Sequence, residues 1–164
     1  MELRSSEIRC PLKSWDIYAT YLYEINRLGR IKQDLQILEN YQKQFDWAVN
    51  LESLLTSPYD ALVLTDKDVK IKWVSSGFAQ MTGYPKREVL DQSPKMFQGR
   101  RTSEDSRSRF RQKLNSNGSF VEEVINYRKN GEEYYCRVEI HPLFSGGDDV
   151  SHYIALENEV KYAV

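Results

Sequence analysis

Cysteine, histidine, proline and glycine are all scarce in this chain of 164 residues, and each shortage removes a class of function. The two cysteines, Cys10 and Cys136, lie far apart with no CxxC or Cys/His spacing, which excludes a disulfide framework and a zinc site. The only histidines are His141 and His152, both on expected strands and read as surface residues. There is no Ser/His/Asp or Cys/His order, no phosphate-cradling glycine loop and no HExxH spacing, so the chain is not read as an enzyme. No apolar run reaches the length of a membrane span, and the start MELRSSEIRC lacks a signal-peptide core. With 23 basic and 24 acidic residues the formal net charge is -1, so no positive excess is available for phosphate backbones or anionic lipid. The expectation is a cytoplasmic protein with no nucleic-acid and no membrane partner, long enough for one domain plus an extension.

What the sequence does contain falls into two halves of different period. Residues 14 to 55 have no proline, one glycine, and apolar residues at helical spacing. Tyr18, Tyr21, Leu22, Ile25 and Leu28 define a first helix after a possible Ser14 N-cap, with Gly29 able to end or bend it. A second helix is expected from about Arg30 to Leu55. Its apolar residues form two stripes, Ile31, Leu35, Leu38, Phe45 and Val49 on one and Ile37, Tyr41, Ala48, Leu51 and Leu55 on the other, which calls for two packing partners. Either both helices cap the domain within one chain, or one stripe meets a second chain; the width of the apolar face favours the second. Ser57-Pro58 then breaks helical geometry and opens a new domain.

From there a two-residue period sets in. Ala61 to Leu64 reads as a buried strand, Asp66 to Asp68 as a turn, and Val69 to Trp73 as a second strand. Short helices follow around Pro85, then a longer helix from Thr102 or Ser103 to the Asn117-Gly118 stop. Strands over roughly 119–128, 133–143 and 151–158 complete an α+β fold: an antiparallel five-stranded sheet with helices on one face and a pocket between. The resulting division is 1–56 as an N-terminal helical extension, 57–160 as the domain and 161–164 as a short tail.

The element order, with GFAQMTGYPKREVL after the second strand and INYRKNGEEYYCRVEIHPL across the hairpin, resembles the PAS sensory fold over about residues 56 to 160. Within that family SPKMFQGRRTS is similar to the light-oxygen-voltage branch, whose signature carries asparagine, cysteine and arginine where this chain has Ser93, Pro94 and Lys95. Phe97 stands for a leucine of that signature, while Gln98 and Gly99 match it. The resemblance further implies that Asn126 matches the first of two asparagines on the flavin edge. Cys136 takes the place of the second, and Glu157 that of the glutamine facing flavin N5. Pro94 offers neither a nucleophile nor a proton, so thiol adduct chemistry is excluded at that position. Cys136 is expected to be packing rather than a substitute, since the family geometry aims it away from flavin C4a.

The hairpin supplies a check independent of the family. A three-residue loop Lys129-Asn130-Gly131 with Gly131 left-handed puts Asn126 and Cys136 on one face with Val124, Val138 and Ile140; a two-residue loop sets Asn126 beside Tyr135 instead. The first register leaves Val121, Ile125, Tyr127 and Tyr135 on an outer face to be covered by the N-terminal helices or by a partner chain. Ser93, Gln98 and Asn126 are candidates for a small polar pocket walled by Trp73, Phe78, Met81 and Met96, although a core filled by those apolar residues is the plainer expectation. Glu157 is expected at a strand end, in solvent or paired with a base, with a buried carboxyl kept protonated by a raised pKa as the alternative. The arginines from Arg100 to Arg111 are expected to form local ion pairs.

These readings converge on a non-enzymatic signalling and protein-interaction module, a homodimer through the N-terminal helices and the sheet face, acting on an unknown downstream protein. The chain ends soon after Glu157, so no effector domain is expected within it. No cofactor is expected, with FMN as the alternative in a cysteine-independent photoreceptor that works by flavin photoreduction. A ligand-free structural dimerisation domain is the third reading.

Overall fold

The computed structural model describes residues 12–162, so the expectation for Cys10 falls outside the described residues. A single helix, α1, runs over Leu12–Phe45. The sequence reading of two helices separated at Gly29 is corrected: the helix passes through Gly29 and already includes Ser14. One glycine costs a helix only about 1 kcal/mol relative to alanine, too little to break a helix of this length. The end comes earlier than expected, at Asp46, whose φ of 53° is left-handed. Gln42 closes that end by donating from Nε2 to the carbonyls of Trp47 at 3.0 Å and Val49 at 2.7 Å. After this bend Asn50 caps a separate short helix, α2 (Leu51–Leu54), accepting from the Ser53 N–H at 2.9 Å.

The remaining elements are β1 (Ala61–Asp66), β2 (Ile71–Val74), α3 (Ser76–Thr82), α4 (Lys86–Val89), α5 (Glu104–Asn115), β3 (Phe120–Tyr127), β4 (Glu133–Phe144) and β5 (Val150–Val160). A 3₁₀ turn over Pro94–Phe97 lies between α4 and α5. The five strands form one antiparallel sheet in the order β2-β1-β5-β4-β3, as expected for the α+β class. Asp66 shapes the β1–β2 turn by accepting the N–H groups of Asp68 and Lys70 at 3.0 and 2.9 Å. This local acceptor holds Val69 at φ 58°, an unusual conformation for a β-branched residue.

The β3–β4 hairpin adopts the three-residue loop. Gly131 has φ 86°, the Arg128 N–H bonds the Glu132 carbonyl at 2.8 Å, and Val124 pairs with Cys136 and Asn126 with Tyr134. That register sends Val124, Asn126, Tyr134, Cys136, Val138 and Ile140 to one face, where all six are buried. This inner face packs on α3, α4 and the 3₁₀ turn through Phe78, Met81, Val89 and Phe97.

The outer face is covered over half its width. Leu38 of α1, Trp47, Leu51 and Leu55 pack on Leu62, Leu64, Trp73, Leu143, Ile154 and Leu156. Each such fully buried side chain contributes roughly 1.5–3 kcal/mol. Trp73, expected in the pocket, is therefore on the opposite side of the sheet. Asp34, buried within α1, accepts a hydrogen bond from the Tyr59 hydroxyl at 2.9 Å and ties the helix to the start of the domain. His152 was expected on the surface and is buried instead: β5 alternation places it with Ile154 and Leu156, its ring 4.3 Å from Phe45 and 5.1 Å from Trp47.

The burial of α1 changes along its length rather than around it. Its second half lies on the sheet. In its first half Trp15, Ile17, Tyr18, Tyr21, Leu22, Tyr23, Ile25 and Leu28 are all exposed. Across the sheet the outer face of β3 and β4 also stays uncovered, with Val121, Tyr135 and Tyr162 exposed.

The inner and outer layers meet at Gly77, where a Cβ would fall inside van der Waals contact with the Asp60 carbonyl oxygen. Backbone atoms on both sides leave little room to adjust. Gly77→Ala is expected to cost about 1–3 kcal/mol, read as a lower denaturation midpoint at unchanged m-value; an unaltered midpoint would show that α3 docks with more slack than the geometry gives.

Candidate ligand pocket

Between the inner sheet face and the helices lies a cavity of about 70 Å³ lined by Val63, Thr65, Val69, Pro94, Phe97, Gln98, Phe110, Leu114, Val124, Asn126, Val138, Ile140, Tyr153, Ala155 and Glu157. Its floor is made by strand alternation. Glu157 sits opposite Ala61 on β1 and Val138 on β4, Ala155 opposite Val63 and Ile140, and Tyr153 opposite Thr65. Glu157 and Thr65 thus stand at opposite ends of an apolar strip, four residues or roughly 13 Å apart at about 3.3 Å per residue.

The 98–102 segment is stitched to β3. Thr102 Oγ1 donates to the Ile125 carbonyl at 2.6 Å and accepts from the Gly99 N–H at 3.0 Å, and the Arg101 N–H bonds the Tyr127 hydroxyl at 3.0 Å. Gly99 is needed here because the Tyr127 ring occupies the space a Cβ would take. The stitching brings Gln98 and Asn126 into a backbone bridge, so two amide side chains line one cavity. Phe97 braces the 3₁₀ turn against Phe78 and Tyr84 at ring distances of 5.5 and 5.4 Å. On the far side α5 closes the cavity through Phe110 and Leu114. It is held by the Phe110–Phe120 ring pair at 5.3 Å and by Lys113 and Arg109 on Glu122 at 2.8 and 3.7 Å. Of the arginines expected to form local ion pairs, Arg101, Arg107 and Arg109 do so, Arg107 on Glu104 and Arg101 on Glu133 both at 2.6 Å, whereas Arg100 and Arg111 have no ion pair among the described residues.

Of the sequence candidates, Pro94, Gln98, Asn126 and Glu157 line the cavity. Ser93 and Cys136 do not. Ser93 caps the 3₁₀ turn, accepting from the Lys95 N–H at 3.4 Å, and Cys136 is fully buried in the core, its thiol pushed well up by burial first and by the Glu157 carboxyl next. Met96, expected in the walls, is exposed, while Phe78 and Met81 belong to the core beside the cavity. Thr65, Val69 and Tyr153 were not anticipated. The alternation Ala61, Val63, Thr65 carried the signal for Thr65, since it continues the inward face by one step beyond the residues read as strand.

Glu157 is the main departure from expectation. It is 7% exposed, and among the described residues no side chain ion-pairs or hydrogen-bonds with its carboxyl. Arg128, at the end of β3, is engaged at 2.7 Å by Glu159. Burial alone pushes Glu157 up to about 7. Thr65 Oγ1 at the other end of the strip and the Tyr134 hydroxyl on β4 are buried without a hydrogen-bond partner. No lysine, arginine or histidine lines the cavity, and among the described residues no group of His, Cys, Asp and Glu is arranged to hold a metal ion.

Because the folded value for Glu157 lies above its ordinary value of 4.5, the contribution of this group to stability is greatest where the carboxyl is protonated in both states, below about pH 4.5. That advantage is lost as pH rises through about 7 and is level beyond. We expect wild type to lose about 3 kcal/mol from this group between pH 4 and pH 8 relative to Glu157→Gln, on the order of 1.4 kcal/mol per unit. Denaturant unfolding of both proteins across this range tests it; parallel pH profiles would place the carboxyl in water.

The profile of the PAS domain family matches residues 60–160. Among curated proteins the chain is similar to Protein TWIN LOV 1 of Arabidopsis thaliana, 34% identical over 53% of this chain and 22% of that protein. It is also similar to a blue-light photoreceptor of Listeria innocua, 27% identical over 69% of this chain and 43% of that protein. The chain spans less than half the length of the curated relatives it matches. A solved light-oxygen-voltage domain, studied with a flavin analogue, superposes with a TM-score of 0.62 at 26% identity, covering 68% of this chain and 84% of that one. Among the described residues no helix is long and apolar enough to cross a membrane.

Proposed function

The chain belongs to the PAS domain family, and we propose that within it the chain is a non-enzymatic, dimeric signalling and protein-interaction module of the light-oxygen-voltage type that works without an adduct-forming cysteine. Residues 1–56 would form the dimerising extension, 57–160 the sensory domain and 161–164 a tail. The observation that carries this reading is the exposed first half of α1. Eight large apolar side chains, from Trp15 to Leu28, stand 41–70% exposed on a helix whose second half is packed. A surface of that size is not left in water. The same chain also leaves the outer face of β3 and β4 open, so a second copy offers both a helix and a sheet half, which suits a closed two-fold assembly. Conformational change at the sheet would then reach the downstream partner protein through α1, by way of Asp34–Tyr59 and the Phe45–Trp47–His152 cluster.

The cavity weighs against a resident flavin. About 70 Å³ is well below the roughly 300–1,000 Å³ of drug-sized ligand sites. No base lines it to meet a phosphate, and Pro94 stands where the light-oxygen-voltage signature has its thiol. Ligand-free dimerisation is compatible with the same features. A second reading, a photoreceptor that binds FMN and works by cysteine-independent photoreduction, is favoured by the bridged pair Gln98 and Asn126 and by the names of the relatives.

Light scattering on the eluting protein is expected to give twice the chain mass, and Tyr21→Glu combined with Leu28→Glu to give one chain mass at a melting temperature within a few degrees of wild type. A monomeric wild type at high concentration would reject the dimer. Incubation with excess FMN, followed by removal of free ligand, is expected to leave no structured band in the blue; a retained band would make the photoreceptor reading correct.

A further inference from the structure

The sequence carries an asparagine followed by glycine twice, at Asn117-Gly118 and Asn130-Gly131, and both asparagines are exposed in turns. An asparagine before glycine is open to attack on its own side chain. The backbone nitrogen of the glycine, with no Cβ beside it to hinder the approach, adds to the Cγ carbonyl carbon. An N–Cγ bond forms, the Cγ–Nδ2 bond breaks and ammonia leaves. Water then opens the resulting five-membered succinimide at either carbonyl and leaves aspartate or isoaspartate. In a folded protein the reaction depends on whether that nitrogen and that side chain are free to meet.

The fold treats the two pairs differently. At the β3–β4 turn the Gly131 N–H donates to the Arg128 carbonyl at 2.9 Å and Asn130 Oδ1 accepts the Glu132 N–H at 3.0 Å, just beyond strands paired as far as Tyr127 and Glu133. Ring closure there has to open the hairpin first. Asn117 instead follows the C-cap of α5 as a single left-handed residue with φ 53°. Its backbone N–H reaches the Leu114 carbonyl at 3.3 Å, but the side-chain bonds of this turn come from its neighbours: Ser116 Oγ donates to the Lys113 carbonyl at 2.7 Å, and Ser119 Oγ lies 2.9 Å from His141 Nδ1. Among the described residues neither the Asn117 side-chain amide nor the Gly118 N–H has a protein partner.

We infer that Asn117 is a site of spontaneous deamidation in the folded protein, and that Asn130, with the same neighbour, is protected by its turn. The product places a negative charge one residue beyond the C-cap of α5. The helix dipole is already negative there, and the cation of the last turn, Lys113, is held by Glu122 at 2.8 Å. Isoaspartate also lengthens the backbone by a methylene. Since α5 closes the cavity through Phe110 and Leu114, the modification loosens one wall of the pocket. The chemistry needs no ligand and no second chain, and so stands apart from the dimer reading.

Ageing the protein at pH 8 and mapping it by mass after tryptic digestion tests the inference, because residues 114–128 and 130–137 fall in separate peptides. In the folded protein the first peptide is expected to gain the mass of deamidation at least about tenfold faster than the second, with fragmentation locating the change at Asn117. In denaturant the two are expected to convert at similar rates, since only the fold separates them. Gly118→Ala, whose Cβ would meet only Ser116 Oγ at 3.7 Å, is expected to slow conversion at Asn117 at least about tenfold with an unchanged melting temperature. Hydrogen exchange of α5 should be faster in aged than in fresh wild type, and the same in aged and fresh Gly118→Ala. Equal rates at the two sites in the folded protein, or conversion of Asn117 only in denaturant, would overturn the inference; unaltered exchange of α5 in the converted protein would overturn its effect on the pocket wall.

Discussion

The three-residue turn at Lys129–Gly131 is the constraint on which the site depends. A left-handed Gly131 with φ 86° fixes which residues of β3 and β4 face one another, and a slip by one would send Asn126 and Cys136 to opposite faces. With the register set, β4 passes the same alternation to β5, and β5 to β1. The position of Glu157 beside Val138, and of Thr65 beside Tyr153, follows from hydrogen-bond pairing that starts at one glycine. The stitching of Gly99 and Thr102 to Ile125 and Tyr127 uses the same strand as its template, so Gln98 is placed by that register too.

Two layers compete for the sheet and they are not equivalent. The inner layer is complete: helices, ring pairs and the Gly77–Asp60 contact fill it apart from the cavity. The outer layer is half made. One helix of 34 residues is about 51 Å long at 1.5 Å per residue, far longer than the strands it crosses. Its second half buries Leu38 and is pinned by the Asp34–Tyr59 bond, while its first half leaves the sheet with its aromatic and aliphatic side chains in water. The helix is thus seated at one end and exposed at the other, and Phe45, Trp47 and His152 form the packed corner at which it turns into the domain.

Relationship to light-oxygen-voltage proteins explains the frame and not the contents of the cavity. Gln98, Gly99 and Asn126 keep the frame, and their geometry is coherent: a bridge, a close approach and an inward amide. Glu157 adds a buried acid to that frame. A carboxyl buried at this point is costly in its ionised form, which is why its value is pushed up to about 7.

The sequence by itself determined the fold class and the five strands, because two-residue alternation and turn chemistry are local and survive without a tertiary context; it left two hairpin registers open, and the structure adopts the one that turns Asn126 and Cys136 inward. Other features were decided only by tertiary structure. Whether Gly29 breaks a helix depends on a balance of about 1 kcal/mol against the packing of α1, which no local pattern contains. Burial of His152 and Glu157 could not be read from their types, because polar residues near a strand end are ordinarily solvated. Here β1 flanks β5 on one side and β4 on the other, so both residues lie on a central strand. Burial and ionisation are properties of the surrounding elements, and those are assembled from residues up to a hundred positions away.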